Sequence, residues 1–357
     1  MNQSMTDILA RFALAAEPIS CERYGCGHIN ETYLVVTEKG ERYILQKINH
    51  RVFRNVPGLM SNIAGVTEHL GEKNKDSRRV LTLVGTKDGQ TYYSAPDGSY
   101  WRVYVFVEDS VCLQQPETPA DFYESAVAFG EFQQQLSDFP AHQLHETIPN
   151  FHNTPDRYRI FREVLEKDPV GRAAEVREEI AFALAHEEEA GTLVGLLAEG
   201  KLPLRVTHND TKLNNVMLDS ETRKALCVID LDTVMPGLSL YDFGDSIRFG
   251  AASAAEDEQD LSKVEMKLDL FEIYTRGFLR ACPGLTDMER AMLPMGAKLM
   301  TLECGVRFLT DYLDGDHYFA THRPGQNLDR ARTQFKLVAD MEGKWEQMHA
   351  IVSGIVG

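Results

Sequence analysis

The sequence has few cysteines, few tryptophans and no long apolar run. Its six cysteines are scattered over 357 residues, and none lies in the Cys-x-x-Cys pairs that zinc sites and redox centres use. No window approaches the roughly 18 consecutive apolar residues of a membrane span. The start MNQSMTDILARF also lacks the basic and then apolar pattern of a signal peptide. We therefore expect a cytoplasmic protein with buried thiols and no membrane partner.

Basic residues are also scarce. The chain has 37 Lys and Arg against 54 Asp and Glu, a formal net charge of −17 at pH 7. Nucleic-acid binders neutralise phosphates with Lys and Arg, and this chain has neither an excess of them nor a basic block. We therefore expect no nucleic-acid partner. The 43% of hydrophobic and 25% of charged residues are typical of a globular protein.

The first part of the chain reads as strands and turns. Segments 32–37 and 43–48 are rich in β-branched and aromatic residues and are separated by Glu-Lys-Gly-Glu, which predicts a β-hairpin. Residues 58–70 predict a helix. Further strands are predicted over residues 79–85, 91–94 and 101–107.

From residue 109 onward the pattern is mostly helical. Residues 109–119 contain two prolines and predict a linker, after which Thr118 can cap a helix. Helices are predicted over residues 119–139, 175–199, 257–281, 286–313 and 328–350. We therefore predict an α+β fold of two lobes: a small antiparallel sheet in residues 1–108 and a larger, mainly helical lobe in residues 109–357.

The segment from residue 204 to 232 carries the chemistry. Apolar runs at 216–218 and 225–229 predict a second hairpin, with Asp210 and Asn215 on the loop before it and Asp230 at a strand end. Such sets serve metal-assisted phosphoryl transfer, in which a loop Asp accepts the proton of the acceptor hydroxyl while amide and carboxylate oxygens hold Mg²⁺. The interval of five residues from Asp210 to Asn215 is that of the protein-kinase catalytic loop.

Other residues of this region have predicted supporting roles. Lys212 can neutralise charge on the transferred phosphoryl oxygens. Asp242 begins an Asp-Phe-Gly run, but it lies 32 residues after Asp210, so Asp230 is the better metal ligand and Asp242 is predicted to brace the loop. His208 is interpreted as a loop-holding residue. The alternative is an ordinary acidic loop before a hairpin, since Asp, Asn and Thr are turn residues.

These motifs resemble those of the aminoglycoside phosphotransferase and choline kinase group of small-molecule kinases. The resemblance covers nearly the whole chain, and it implies a protein-kinase-like fold that uses ATP and Mg²⁺. It is strongest to members that phosphorylate the anomeric hydroxyl of N-acetylglucosamine or N-acetylgalactosamine, which implies a sugar 1-phosphate as product. The matching segments are Thr207 to Asn215, Ile229 to Thr233, Tyr24 to Leu34, Tyr43 to Gln46, Asp242 to Gly250 and Glu303 to Leu309.

Nucleotide contacts are predicted in the first lobe. Gly25, Gly27 and Asn30 lie between two strands, where backbone amides can approach phosphates. The stretch ending at Glu108 resembles the strand that leads into a hinge, where backbone groups would bind adenine.

The cation expected on the third strand is ambiguous. Either Lys47 reaches the α- and β-phosphates, or that cation is absent and Gln46 stands in its place. Strand parity puts the two side chains on opposite faces. Glu68 is a weak candidate for the carboxylate that would pair with such a lysine.

Acceptor binding requires polar partners for hydroxyls and an apolar surface for the ring. The candidates are His28, Asp245, Arg248, Arg307 and Tyr318, together with Asp210. Arg307 lies on an otherwise apolar helix, where an ion pair with Glu303, four residues earlier, is an equally good interpretation.

Other functions stay open at this point. A kinase of the same group could act on choline, homoserine, a methylthioribose-like sugar or an aminoglycoside, and an acidic chain suits a cationic acceptor. From another class, His208, Asp210 and Asp230 could form a metallohydrolase site, because His-x-Asp with a distant Asp is also a metal-ligand set.

Overall fold

A computed structural model describes residues 3–25 and 29–356 of the chain. The chain divides into two compact units, each made of three segments. The first unit comprises Met1–Val111, Asp138–Pro149 and Met217–Pro236. The second comprises Cys112–Ser137, Asn150–Val216 and Gly237–Gly357. The division at residue 108 into a nucleotide-binding and an acceptor-binding lobe stays a prediction.

The first unit is built on an antiparallel sheet. Its strands are β1 (Pro18–Arg23), β2 (Glu31–Thr37), β3 (Arg42–Ile48), β4 (Leu83–Val84), β5 (Tyr93–Ser94) and β6 (Tyr100–Val105). They lie in the order β1-β2-β3-β6-β4, and β5 also pairs with β6. The predicted hairpin over 32–37 and 43–48 is formed by β2 and β3 and is confirmed.

The strand predicted over residues 79–85 is shorter than expected. Only Leu83–Val84 pairs with β6. Ser77–Arg79 instead forms a 3-10 turn, because the side chain of Asp76 accepts a hydrogen bond from the backbone N–H of Arg78. The capped turn thus takes up Arg79, the first residue of the predicted strand.

The two faces of the sheet differ in polarity. Leu45 and Trp101 belong to an apolar core cluster that includes residues of α1 (Gln3–Leu9). Gln46 and Arg102 are the next residues on β3 and β6, and they lie opposite each other in the register. Because side chains alternate along a strand, Gln46 and Arg102 lie on the face away from this cluster.

The predicted helix and the second predicted hairpin of the first unit are both formed. The helix predicted over 58–70 is α2 (Val56–Lys73), which begins at Asn55, whose side chain accepts from the N–H of Gly58. The second predicted hairpin is present as neighbouring strands. The shorter strands are β7 (Ser110–Cys112), β9 (Val216–Asp219), β10 (Ala225–Val228) and β11 (Met235–Gly237), and β9 lies between β7 and β10.

The second unit is mainly helical. Its elements are α3 (Pro119–Gln135), α4 (Thr154–Lys167), α5 (Arg177–Ala185), α6 (Thr192–Ala198), β8 (Arg205–Thr207), α7 (Ser239–Gly250), α8 (Leu268–Ala281), α9 (Asp287–Ala291), α10 (Leu293–Asp314), α11 (Gln326–Gly343) and α12 (Trp345–Val356). As predicted, Thr118 caps α3, in a reciprocal capping box with Asp121. Sheet and helices together confirm the predicted α+β class. None of the described helices could cross a membrane.

Several long predicted helices are interrupted. The one predicted over 175–199 is α5 and α6, separated by a 3-10 turn over Glu188–Gly191. The one predicted over 286–313 breaks at Met292, where the next helix has Pro294 in its first turn, a position at which proline is tolerated. The helix predicted over 257–281 begins only at Leu268. The helix predicted over 328–350 is divided at Lys344 into two helices.

Glycine allows two helices of the second unit to approach closely. A Cβ atom added at Gly244 of α7 would lie 2.6 Å from the Cγ of Met300 and 2.7 Å from the carbonyl carbon of Gly296 on α10. A Cβ at Gly296 would lie 2.8 Å from the carbonyl oxygen of Leu240. The backbones of α7 and α10 are therefore in contact, and this contact leaves no room for a side chain.

We expect Gly244→Ala to lower the free energy of unfolding by about 1–3 kcal/mol, because backbone atoms must move to admit the methyl group. The control is Gly195→Ala in α6, where a Cβ would meet nothing within 4 Å. There alanine should stabilise the chain by about 0.5–1 kcal/mol, since glycine is the weaker helix former. Urea unfolding measures both changes, and an equal effect of the two substitutions would contradict the close contact.

Candidate active site

The loop that follows β8 carries the predicted catalytic residues. His208 and Asn209 are buried, with 0% and 5% exposure, and Asn209 has a left-handed φ of 65°. Asparagine adopts this conformation more readily than most residues. The bend turns the chain out of the strand, and Leu213–Asn215 then forms a 3-10 turn before β9.

Asp242 of α7 holds this loop. Its buried carboxylate accepts hydrogen bonds from the backbone N–H groups of His208 and Asn209, at 2.9 and 2.8 Å, and from the side chain of Gln133 at 2.5 Å. Burial raises the pKa of Asp242, and the hydrogen bonds from the backbone of His208 and Asn209 and from Gln133 oppose that rise. The prediction that Asp242 braces the loop is confirmed.

Asp245 forms a second anchor one turn later on α7. It accepts from the N–H of Thr211 at 2.9 Å and from the guanidinium of Arg248 at 3.1 and 3.2 Å, while Arg248 also donates to Glu256 at 2.7 Å. Burial by itself raises the pKa of Asp245, but the charges of Arg248 and then Lys212 hold it below the ordinary value. Both Asp245 and Arg248, predicted as acceptor-binding residues, thus also support the loop.

Three predicted catalytic or metal-binding residues lie together on the loop. The Lys212 Nζ is 2.7 Å from Oδ1 of Asp210. The Asn215 side-chain NH₂ donates to the carbonyl oxygen of Asp210 at 2.8 Å and to its Oδ2 at 3.0 Å. Burial tends to lower the pKa of Lys212, but the charge of Asp210 raises it overall, so Lys212 is cationic at neutral pH. The loop therefore presents a carboxylate, a cation and an amide side by side.

His208 holds the loop from inside. Its Nδ1 accepts from the N–H of Asp210 at 3.3 Å. Its ring makes edge contacts with Phe129 and Phe132 of α3, with centroids 5.4 and 6.0 Å apart. These contacts support the interpretation of His208 as a loop-holding residue.

Asp230 lies in the first unit, whereas Asp210 and Asn215 lie in the second. Asp230 has φ 58° and ψ 58°, in the left-handed region, and starts a 3-10 turn over Leu231–Thr233. The convergence of the three side chains on one cation stays a prediction.

The predicted nucleotide residues belong to the first unit. Gly25 has a positive φ of 74°, as a glycine turn allows. Asn30 donates to Asp232 at 2.5 Å, and Glu108 accepts from the Nε of Arg42 at 3.0 Å. Gly27, like the acceptor candidate His28, lies outside the described residues.

Gln46 and Lys47 have different surroundings. Gln46 donates to Thr32 at 3.1 Å and accepts from Arg102 at 2.9 Å. The Lys47 Nζ lies 5.7 Å from the ring centroid of Trp101 on the other face of the sheet. As strand parity predicts, the two side chains point to opposite faces.

Arg307 of α10 lies among aromatic rings. Its guanidinium carbon is 5.2 Å from the ring centroid of Phe151, 5.4 Å from Phe319 and 5.8 Å from Tyr318. Tyr318 is 66% exposed, so one ring of this group can contact a ligand. The alternative ion pair with Glu303 is not formed.

Glu303 has other partners. Its two carboxylate oxygens accept from His152 and from the hydroxyl of Thr154, both at 2.8 Å. Burial alone raises the pKa of Glu303, but the charge of His152 and its hydrogen bond bring it below the ordinary value. Sequence analysis missed His152, because nothing in the sequence links two residues that are 151 positions apart.

Known structures share this fold over nearly their whole length. The chain is similar to a microcompartment-associated aminopropanol kinase, with a TM-score of 0.58 and 18% identity over 97% of this chain and 98% of that chain. It is also similar to spectinomycin phosphotransferase, with a TM-score of 0.61 and 12% identity over 97% of this chain and 99% of that chain. A third similar structure is an aminoglycoside phosphotransferase from Alicyclobacillus acidocaldarius. Its TM-score is 0.59, with 15% identity over 99% of this chain and 95% of that chain.

The family is shown by the sequence. Residues 20–276 match the phosphotransferase enzyme family, which is more than half of the chain. The protein therefore belongs to this family and has the protein-kinase-like fold of the structures above. The predicted family and the predicted protein-kinase-like fold are therefore confirmed.

We expect Asp242→Asn to lower the free energy of unfolding by about 1–3 kcal/mol, because an amide has one acceptor oxygen for two buried N–H groups. Amide hydrogen exchange at His208 and Asn209 should become faster. The control is Asp260→Asn, at an exposed cap of a 3-10 turn where asparagine serves as well as aspartate. Wild-type exchange rates in Asp242→Asn would refute the bracing role.

Proposed function

We propose that the chain is an ATP- and Mg²⁺-dependent kinase that phosphorylates the anomeric hydroxyl of an N-acetylhexosamine, N-acetylglucosamine or N-acetylgalactosamine. The observation that carries phosphoryl transfer is the braced loop on which Asp210, Lys212 and Asn215 are neighbours. Among similar structures, spectinomycin phosphotransferase was solved with ADP, and an amicoumacin kinase with AMP-PNP and Ca²⁺. We further propose that it acts in the cytoplasm, and its free described cysteines suit a reducing compartment.

Asp210 is the proposed catalytic base. It orients the acceptor hydroxyl and takes its proton as the bond to phosphorus forms. An anomeric hydroxyl is more acidic than an ordinary alcohol, so a carboxylate of ordinary basicity suffices late in the transition state. Lys212, held beside Asp210, offsets charge on the transferred phosphoryl oxygens.

Asn215 and Asp230 are the proposed metal ligands. Asn215 donates to Asp210 through its NH₂ group, which keeps its amide oxygen for a cation. Amide and carboxylate oxygens are the hard ligands that Mg²⁺ takes, so these residues suit the ion. When bound, Mg²⁺ would offset the charge of the phosphate oxygens.

The sugar is proposed to bind near Arg307 and Tyr318. Guanidinium N–H groups can donate to sugar hydroxyls, and an exposed ring can cover an apolar ring face. Arg248 and Asp245 are proposed to contribute further polar contacts, and His28 is proposed from the sequence alone.

One observation favours a different acceptor. Arg248 also lines a cavity of about 480 Å³ within the second unit, together with Glu117 and Glu256. Two acidic groups against one basic group would favour a cationic acceptor over a neutral sugar. The second candidate is therefore a kinase of an aminated acceptor such as choline or an aminoglycoside.

The deciding experiment offers Mg-ATP with each N-acetylhexosamine, choline, homoserine, a methylthioribose-like sugar and an aminoglycoside. Phosphorus NMR of the products then locates the phosphate. We expect phosphate on the anomeric carbon of an N-acetylhexosamine. Phosphate on another carbon, or on an aminated acceptor only, would overturn the sugar 1-kinase assignment but not the kinase. Hydrolysis that needs no nucleotide would favour a metallohydrolase.

We expect Asp210→Asn to lower kcat by about 10²–10⁴-fold, the usual contribution of general base catalysis. Affinity for ADP, measured by calorimetry, should change little, because the carboxylate acts on the acceptor. Asp260→Asn again serves as the control and should retain wild-type kcat. Full turnover by Asp210→Asn would exclude Asp210 as the base.

A further inference from the structure

A buried charged network lies on the polar face of the first unit's sheet. The side chain of Arg102 on β6 is 1% exposed. Its Nη1 is 2.5 Å from Oδ1 of Asp232, and its Nε donates to Oε1 of Gln46 at 2.9 Å. The side chain of Asp232 is itself only 3% exposed, so this is a fully desolvated ion pair.

Protein kinases keep a different ion pair, which starts from the third strand of their sheet. There, a lysine on the third strand contacts the phosphates and pairs with a helix glutamate. In this chain Lys47 lies on the opposite face, with its Nζ 3.8 Å from Glu31, and Glu68 of α2 is exposed. On β3 the uncharged Gln46, and not Lys47, shares a face with Arg102 and accepts a hydrogen bond from it.

Asp232 is held on both of its oxygens. Oδ1 is paired with Arg102, and Oδ2 accepts from the side-chain NH₂ of Asn30 at 2.5 Å. Asn30 is fixed in turn, because its oxygen accepts from the N–H of Asn49 at 3.0 Å. The 3-10 turn that contains Asp232 is therefore tied to β6 through Arg102 and, through Asn30, to Asn49, which follows β3.

The same turn begins with the strained residue Asp230. A left-handed conformation costs a non-glycine residue about 1–2 kcal/mol and persists where surrounding contacts impose it. Asp232 is two residues away, and its carboxylate is the anchored group of the turn. Burial alone lowers the pKa of Arg102, but Asp232 and, more weakly, Asp230 raise it above its ordinary value, so Arg102 also acts electrostatically on Asp230.

We propose that Arg102 is a positioning residue for the reaction: through Asp232 it fixes the turn that presents Asp230 to Mg²⁺, in place of a lysine on β3. The inference rests on the proposed function, which makes Asp230 a metal ligand. Residues that orient metal ligands without contacting the metal themselves typically contribute about 10–100-fold to metal affinity.

Two variants test the proposal without leaving a buried charge unpaired. Arg102→Met alone would strand the carboxylate of Asp232, which can prevent folding. The double variant Arg102→Met with Asp232→Asn removes both charges and should fold. Arg102→Lys keeps a cation without the forked geometry. The matched control is the double variant Arg205→Met with Glu289→Gln, which removes the buried ion pair of the second unit in the same way.

The first readout is calorimetric binding of ADP, with and without Mg²⁺ and without acceptor. We expect the double variant to bind Mg-ADP about 10-fold or more weakly, with metal-free ADP binding unchanged, and Arg102→Lys to fall between it and the wild type. The second readout is amide hydrogen exchange at 231–233 in the ligand-free protein, which should quicken in the double variant. The control double variant at Arg205 and Glu289 should alter neither readout.

The outcomes separate the two proposals. A folded double variant with wild-type Mg-ADP affinity would overturn the role of Arg102 and leave the kinase assignment intact. Equal loss of Mg-ADP affinity in the control double variant would reduce the effect to the general loss of a buried ion pair and also overturn it. A wild-type protein that binds no ADP would overturn the proposed function, and this inference with it.

Discussion

The candidate site depends on the hydrogen bonds between the carboxylate of Asp242 and the loop after β8. This carboxylate is buried at 0% exposure, and burying a charge is unfavourable unless hydrogen bonds replace water. The backbone N–H groups of His208 and Asn209 provide those bonds, and they would themselves be unsatisfied without it. The buried carboxylate and the buried N–H groups therefore require each other. Their hydrogen bonds give the loop one conformation, which keeps Asp210, Lys212 and Asn215 adjacent.

The same principle recurs elsewhere in the described residues. Asp245 is buried against Arg248, Glu303 against His152, and Asp232 against Arg102. Apolar residues of similar volume could often give equal stability at such positions. What these pairs provide is direction, because hydrogen bonds fix the orientation of a turn or loop more closely than apolar contacts do. The pairs adjoin the loop of Asp210, the proposed acceptor residues and the turn of Asp230.

Local patterns carried the correct predictions. The hairpin of β2 and β3 and the cap at Thr118 depend on residues within a few positions of one another. Predictions failed where several short signals competed over a longer stretch. The region 175–199 has helical periodicity throughout, but a turn at Glu188–Gly191 divides it.

The sequence by itself determined the two hairpins, the loop with Asp210 and Asn215, and membership of a phosphotransferase family, because each rests on spacing along the chain. Only the tertiary structure decided which residues support them. Arg102 and Asp232 are 130 positions apart, and His152 and Glu303 are 151 apart. A buried charge requires a partner, but spacing cannot say which distant residue supplies it, because folding brings the two together.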